Sequence, residues 1–148
     1  MPIDPRTIVR RLYGDVWNKR KLDVVSELLS PSHALRDNNS NSSSVGPEAY
    51  RILVALYVSA FPDLRITVED TVAEKEKLVA SWTISGTHKG EFMGIRPTHK
   101  KVSVDGMTIH YFANGKIIDS AVSWDALGLM RQLGVFPVLS KPKGAVAR

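Results

Sequence analysis

Two titratable residues, His110 and Asp125, lie on either side of a predicted β-hairpin turn at Asn114-Gly115. Asn-Gly favours a two-residue type I′ turn, because both central positions of that turn need positive φ. Side chains alternate along a strand, so Asp125 shares a sheet face with His110 if the second strand runs on without a bulge. A carboxylate and an imidazole that converge on a small pocket can transfer protons on an organic substrate.

General acid/base catalysis is the chemistry predicted for this pair. Withdrawal from water makes a carboxylate a better proton acceptor near neutral pH, so we expect Asp125 to act as the general acid/base. We expect His110 to polarise a carbonyl group and to donate a hydrogen bond to the developing enolate. The spacing also allows another interpretation, in which the turn places His110 opposite Asp119 and the two form a cross-strand pair on a solvated face.

The sequence contains no motif for metal binding, thiolate catalysis or nucleotide binding. The sequence contains no cysteine, which excludes disulfides, thiolate catalysis and cysteine metal sites. It has no cluster with the ligand spacing of a zinc site, and neither a phosphate-cradling glycine loop nor a dinucleotide fingerprint. We therefore expect no metal site, and no motif for a nucleotide cofactor is present.

Helical periodicity comes first in the chain, and strand periodicity follows. Asp4-Pro5 predicts the start of a first helix, and Gly46-Pro47 predicts the start of a third helix after a short second one. From Ile66 onwards, apolar residues alternate with polar ones as in β-strands. The prediction is an α+β fold in which N-terminal helices wrap a curved antiparallel sheet, leaving a cone open at one end.

Two polar segments are predicted to lie outside these elements. Residues 36–46 read RDNNSNSSSVG, which predicts a mobile loop and a candidate lid. Residues 138–148 are expected to form a disordered basic tail, so that a single domain spans residues 1–137. His33 and Asp37 come just before or within the polar loop, where local capping is the favoured role and the cavity rim an alternative.

Seven large side chains are candidates for binding a substrate in the cone. Each of them could equally be an ordinary core residue, and Met107 fits the inward face least well by strand parity. The two remaining histidines, His88 and His99, flank a predicted loop and are expected at the surface. The candidates for substrate binding are Tyr13, Trp17, Tyr57, Phe61, Trp82, Phe92 and Met107.

The composition is that of a soluble globular chain of 148 residues with a net charge of +5. Its lysines and arginines are dispersed rather than gathered on one face with aromatic residues, which argues against nucleic-acid binding. No run approaches the roughly 20 apolar residues of a membrane span. The expected location is therefore the cytoplasm, with no membrane partner.

Several short motifs are spread over most of the chain up to Gly134: Val16-Trp17-Asn18, Phe61-Pro62-Asp63-Leu64, the run from Gly86 to Ile95, Pro97-Thr98 and the run from Asp125 to Met130. Together they resemble the motifs of the SnoaL-like polyketide cyclases, also called ester cyclases. Two departures stand out: Ala121 replaces a frequent tryptophan, and Arg36-Asp37-Asn38 replaces a histidine-containing stretch.

This resemblance implies a nuclear transport factor 2-like cone that dimerises through its outer sheet face. It also implies a cofactor-free, lyase- or isomerase-type reaction, the intramolecular aldol closure of a hydrophobic polyketide ester. The same resemblance assigns Asp125 as the residue that removes the activated proton and His110 as the residue that holds the enolate. The alternative is a module of the same fold that binds an apolar molecule without converting it, or that serves only in dimerisation.

Overall fold

The structure, a computed structural model, describes residues 4–135. The predicted tail at residues 138–148 lies outside this range. The helical elements are α1 (Pro5–Arg11), a π-helical continuation (Leu12–Asn18), a 3₁₀ turn (Leu22–Val24), α2 (Val25–Leu28), α3 (Pro47–Ala60) and α4 (Ala126–Leu133). The strands are β1 (Leu29–Asp37), β2 (Ser42–Val45), β3 (Arg65–Glu74), β4 (Lys77–Thr87), β5 (Lys101–Ala113) and β6 (Lys116–Trp124).

The two predicted helix starts are confirmed. The side chain of Asp4 accepts a hydrogen bond from the backbone N–H of Arg6, and Pro5 occupies the first turn of α1. Gly46 precedes α3 with a φ of 95°, a conformation that glycine adopts readily, and Pro47 begins the helix. These helices pack their apolar sides against the sheet.

The sheet has six strands in the order β2-β1-β6-β5-β4-β3. The α+β architecture is confirmed, but the sheet is mixed rather than wholly antiparallel, because β1 pairs with β6 in parallel. A parallel pair needs a long connection, and here most of the chain lies between the two strands. The predicted mobile loop at residues 36–46 is also wrong in part: β2 pairs with the end of β1 from Ala34 opposite Val45 to Asp37 opposite Ser42.

The β5–β6 hairpin has the predicted turn and an unpredicted bulge. Asn114 and Gly115 have φ values of 53° and 76°, as a type I′ turn requires. Beyond the first two residue pairs, the register shifts at Tyr111 and Phe112, so that His110 lies opposite Ser120 instead of Asp119. An extra residue in one strand reverses which of its side chains face inward, and every later residue of β6 is affected.

A glycine inside a strand often marks a bulge, but β5 is regular at Gly106. Gly106 stays in register with Trp82 on β4 and Trp124 on β6. A Cβ atom at this position would come within 2.3 Å of the Trp82 ring, so the glycine makes room for the indole on the inner face. The indole nitrogen of Trp82 donates to Thr108 Oγ1 at 3.0 Å.

Candidate active site

A cavity of about 300 Å³ lies between the concave face of the sheet and the helices. Its wall is mainly apolar, with aromatic rings from α3, the π-helical segment and β4. Ile52 and Leu56 of α3 line it although their side chains are more than half exposed, so they mark its opening to solvent. A concave apolar cavity with a few polar groups is the usual form of a small-molecule site.

Four buried side chains form a hydrogen-bonded chain at the cavity wall, which we call the buried relay: Tyr13, His110, Ser120 and His33. The Tyr13 hydroxyl lies 2.9 Å from His110 Nε2, and Ser120 Oγ lies 2.9 Å from His110 Nδ1. On its other side Ser120 Oγ lies 3.0 Å from His33 Nε2. The first three members line the cavity, and His33 lies behind them.

Burial keeps the two imidazoles of the relay neutral. Loss of hydration, together with a smaller effect of the neighbouring His33, lowers the pKa of His110 to about 3. Burial lowers the pKa of His33 to about 4, against a smaller opposing effect of the Asp119 charge. Burial also raises the pKa of the Tyr13 hydroxyl, so the whole relay is uncharged near neutral pH.

Two hydrogen-bond directions satisfy this neutral relay, because each imidazole has one N–H and the serine one O–H. In one direction Tyr13 donates its proton to His110 Nε2. In the other, His33 donates to Ser120, Ser120 donates to His110 Nδ1, and His110 donates from Nε2 to the oxygen of Tyr13. The Tyr13 proton is then free to make a hydrogen bond to an acceptor in the cavity.

The position predicted for Asp125, on the inner face beside His110, is wrong. Its side chain is exposed, and Oδ1 accepts the backbone N–H of Gly128 at 2.8 Å, which makes Asp125 the N-cap of α4. The bulge in the hairpin is the physical reason, since it turns Ser120, Val122 and Trp124 inward. The predicted cross-strand pair is also wrong, because Asp119 lies 3.1 Å from Arg36 instead.

Asp37, for which local capping was the favoured role, is a carboxylate that does line the cavity. It ends β1, where alternate residues His33, Leu35 and Asp37 all face the sheet interior or the cavity. Its Oδ1 accepts the backbone N–H of Asn39 at 2.9 Å, so the expected local capping is present as well. The period-two spacing from His33 was the signal that could have placed it.

The predicted binding residues fall into two groups. Phe92 is buried but packs against Tyr57 and Phe61 without lining the cavity, because its ring belongs to the core. Met107 is 56% exposed on the outer face, where strand alternation directs it away from the cavity. The residues that do line the cavity are Tyr13, Trp17, Tyr57, Phe61 and Trp82.

The surface position predicted for His88 is also wrong, whereas His99 is exposed. His88 is fully buried, and its Nδ1 accepts the backbone N–H of Thr98 at 3.1 Å, which ties the 92–100 loop to β4. Within residues 4–135, no three metal-binding side chains come together. No helix in that same range is both long and apolar enough to cross a bilayer.

Comparison with known proteins identifies the class. The family model for SnoaL-like polyketide cyclases matches residues 7–133. The chain therefore belongs to this family, and its fold is the nuclear transport factor 2-like α+β cone.

Two curated relatives share most of their length with the chain. Aklanonic acid methyl ester cyclase AcmA of Streptomyces galilaeus is 30% identical over 127 residues, which cover 85% of this chain and 88% of the relative. Nogalonic acid methyl ester cyclase of Streptomyces nogalater is 26% identical over 119 residues, covering 80% and 89%.

Solved structures agree on the fold. TsrD from Streptomyces laurentii superposes with a TM-score of 0.80 at 27% identity, over 90% of this chain and 99% of its own. A SnoaL-like polyketide cyclase from Agrobacterium tumefaciens superposes with a TM-score of 0.71 at 22% identity, over 89% of this chain and 100% of its own.

Proposed function

We propose that the chain is a polyketide cyclase that closes a ring in a hydrophobic ester substrate by acid/base catalysis. The observation that carries this proposal is the buried relay, whose Tyr13 and His110 members stand on the wall of an apolar cavity. The family supports a hydrophobic small molecule as substrate. The names of the two curated relatives favour the methyl ester of a polyketide acid.

The reaction balances without an external reactant. A C–H bond α to a carbonyl breaks, the resulting enolate carbon forms a C–C bond to a second carbonyl carbon, and the alkoxide takes up one proton. One proton is lost and one is gained, with no change of oxidation level, so the chemistry requires neither a redox cofactor nor a second substrate.

Tyr13 is the residue placed to hold the reacting oxygen. When His110 donates a hydrogen bond to the Tyr13 oxygen, the Tyr13 hydroxyl can donate a hydrogen bond to the substrate carbonyl that becomes the enolate. Such a donor stabilises charge more strongly in an apolar wall than in water, and removal of one typically lowers kcat about 10²- to 10³-fold. His110 and Ser120 act through Tyr13 and thus orient it.

The test uses aklanonic acid methyl ester and nogalonic acid methyl ester as probes, with products followed by liquid chromatography and mass spectrometry. Ring closure gives a product of unchanged mass and altered retention. We expect Tyr13→Phe to lower kcat about 100-fold or more. Tyr111→Phe is the matched control, since Tyr111 lies on β5 outside the cavity, beneath Lys77.

Full turnover by Tyr13→Phe would contradict the role of the relay. Absence of the isomer with both esters, together with no exchange of α-hydrogen for solvent deuterium, would contradict the cyclase proposal.

A second candidate function is binding without conversion. It is favoured by the finding that both ring nitrogens of His110 are already hydrogen-bonded within the protein. In this case the esters would bind in the cavity, quench its tryptophan fluorescence and be recovered unchanged.

We also propose a homodimer that packs through the outer sheet face. Ile109 and Tyr111 are half-buried there, and Ile118 is 37% exposed. Val122 of β6 is not part of this outer face, because the hairpin bulge turns its side chain toward the cavity. Light scattering should report twice the chain mass, and Ile118→Glu should reduce it to that of one chain.

A further inference from the structure

We propose that Asp37 is the catalytic base, the carboxylate that removes the α-proton of the substrate. This inference rests on the proposed function and names a residue that the reaction needs. A ring closure of this kind requires a proton acceptor that reaches the substrate carbon, and the neutral relay already serves the oxygen. The acceptor must therefore be sought elsewhere on the same cavity wall.

Among the residues that the structure describes, Asp37 is the only carboxylate that lines the cavity. Asp125 is turned outward and caps α4. Asp119 lies outside the cavity wall and is paired with Arg36 at 3.1 Å. The carboxylate that sequence analysis assigned to β6 is thus supplied by β1.

The strand register sets Asp37 at a useful distance from His110. Asp37 lies beside Val122 of β6, and Val122 lies beside Thr108 of β5, two residues before His110. The two side chains therefore start two strands apart, about 10 Å, and are offset by about 7 Å along the strands. The sheet is curved, so both side chains lean toward the cavity. A substrate can then lie between the Asp37 carboxylate at one end of the cavity and the Tyr13 hydroxyl at the other.

The surroundings hold the Asp37 carboxylate at the cavity. Its Oδ2 lies 3.4 Å from the indole nitrogen of Trp124, which also lines the cavity, and its Oδ1 accepts the N–H of Asn39. From the α3 side the facing titratable group is Tyr57, whose pKa burial raises to about 12, with the Asp37 charge adding to that rise. Asp37 is half-buried, so the carboxylate is oriented but remains open to a ligand.

The proposed step is a simple transfer. An oxygen of Asp37 takes the proton from the α-carbon, the C–H electron pair becomes the enolate, and Tyr13 donates to the enolate oxygen. After the C–C bond forms, the same proton returns to the new alkoxide, directly from Asp37 or through water at the opening. General bases of this kind typically contribute about 10²- to 10⁴-fold in rate.

The first experiment compares Asp37→Asn with Asp125→Asn in the cyclisation assay. Asparagine can keep the contact to the Asn39 N–H but is not a base, so we expect kcat to fall about 100-fold or more with little change in KM. Asp125→Asn should turn over like the unaltered protein, because asparagine also caps helices. If the unaltered protein cyclises the esters and Asp37→Asn does so equally well, this inference is wrong while the proposed function stands.

The second experiment does not depend on turnover. The bromomethyl ketone of naphthalene carries a carbonyl for Tyr13 and, at the α-carbon, a bromide that a nearby carboxylate displaces. A C–O bond forms, the C–Br bond breaks and bromide leaves, giving an ester that peptide mass mapping locates. The chain has no cysteine, so no thiol competes for the reagent.

We expect one adduct, on Asp37, that methyl 2-naphthoate suppresses by occupying the cavity. Asp37→Asn should lose this adduct, and Asp125→Asn should keep it. A suppressible adduct on another residue, such as His110, would overturn the inference, as would the lack of any suppressible adduct.

Discussion

Mild acid should destabilise the fold through the two histidines of the buried relay. Burial holds the pKa of His110 at about 3 and that of His33 at about 4, against 6.5 for an unfolded histidine. Between these values the unfolded chain binds protons that the folded chain does not, so the free energy of unfolding falls as the pH falls. The two neutral histidines stabilise the folded state fully above pH 6.5, and this contribution declines steadily as the pH falls below 6.5.

The size of the effect follows from the difference in bound protons. Each histidine that stays neutral in the folded state but is protonated in the unfolded state lowers the free energy of unfolding. The decrease is about 1.4 kcal/mol for each pH unit below the unfolded pKa. Acidification to pH 5 therefore costs about 2 kcal/mol for His110 and up to the same for His33, a total of about 2 to 4 kcal/mol. Carboxylates contribute little in this range, because the carboxyl groups of an unfolded chain have pKa values of about 4 and are already mostly ionised at pH 5.

Urea unfolding at pH 7 and pH 5, followed by tryptophan fluorescence, measures this difference directly. His110→Gln removes the titrating ring, and any general loss of stability cancels because only the difference between the two pH values is compared. That difference should shrink by about 2 kcal/mol in His110→Gln. His99→Gln, at an exposed position, is the matched control and should behave like the unaltered protein.

The reasoning would be refuted by either of two results. One is a loss of less than about 1 kcal/mol between pH 7 and pH 5 in the unaltered protein. The other is a free energy of unfolding that depends on pH in His110→Gln as it does in the unaltered protein. That result would mean that burial does not lower the pKa of His110.

Three further substitutions test the local structure through the free energy of unfolding. Asp125→Ala should cost about 1 kcal/mol by removing the cap on the Gly128 N–H, and an unchanged value would argue against the cap. Gly106→Ala should cost about 1 to 3 kcal/mol and shift the fluorescence of Trp82, because the new methyl group meets the indole ring at 2.3 Å; an unperturbed spectrum would contradict that contact. Ser120→Ala should cost about 1 to 3 kcal/mol at pH 7 by leaving two buried imidazole nitrogens without their partner, whereas a neutral substitution would show that the relay does not stabilise the fold.

Local signals in the sequence were sufficient for the helix starts, the hairpin turn and the fold class, although not for strands β1 and β2. Asp4-Pro5 and Gly46-Pro47 define helix starts, and Asn114-Gly115 defines a turn, because these residues restrict the backbone wherever they occur. The motifs shared with the SnoaL-like family led to the same cone, which the family model and the solved structures confirm.

Which side chains meet in the cavity depended on the register between distant segments. A single bulge changes which side chains of β6 point into the cavity and turns Asp125 outward. No residue type in the hairpin indicates that bulge. Asp37 lines the cavity because β1 pairs with β6, a strand that lies far away in the sequence. His33 reaches Ser120 for the same reason. The sequence by itself determined the helices, the hairpin turn and the α+β cone, since these follow from local backbone preferences. Only the tertiary structure decided which acid lines the cavity together with His110, because strand pairing and bulges are settled by packing over the whole sheet.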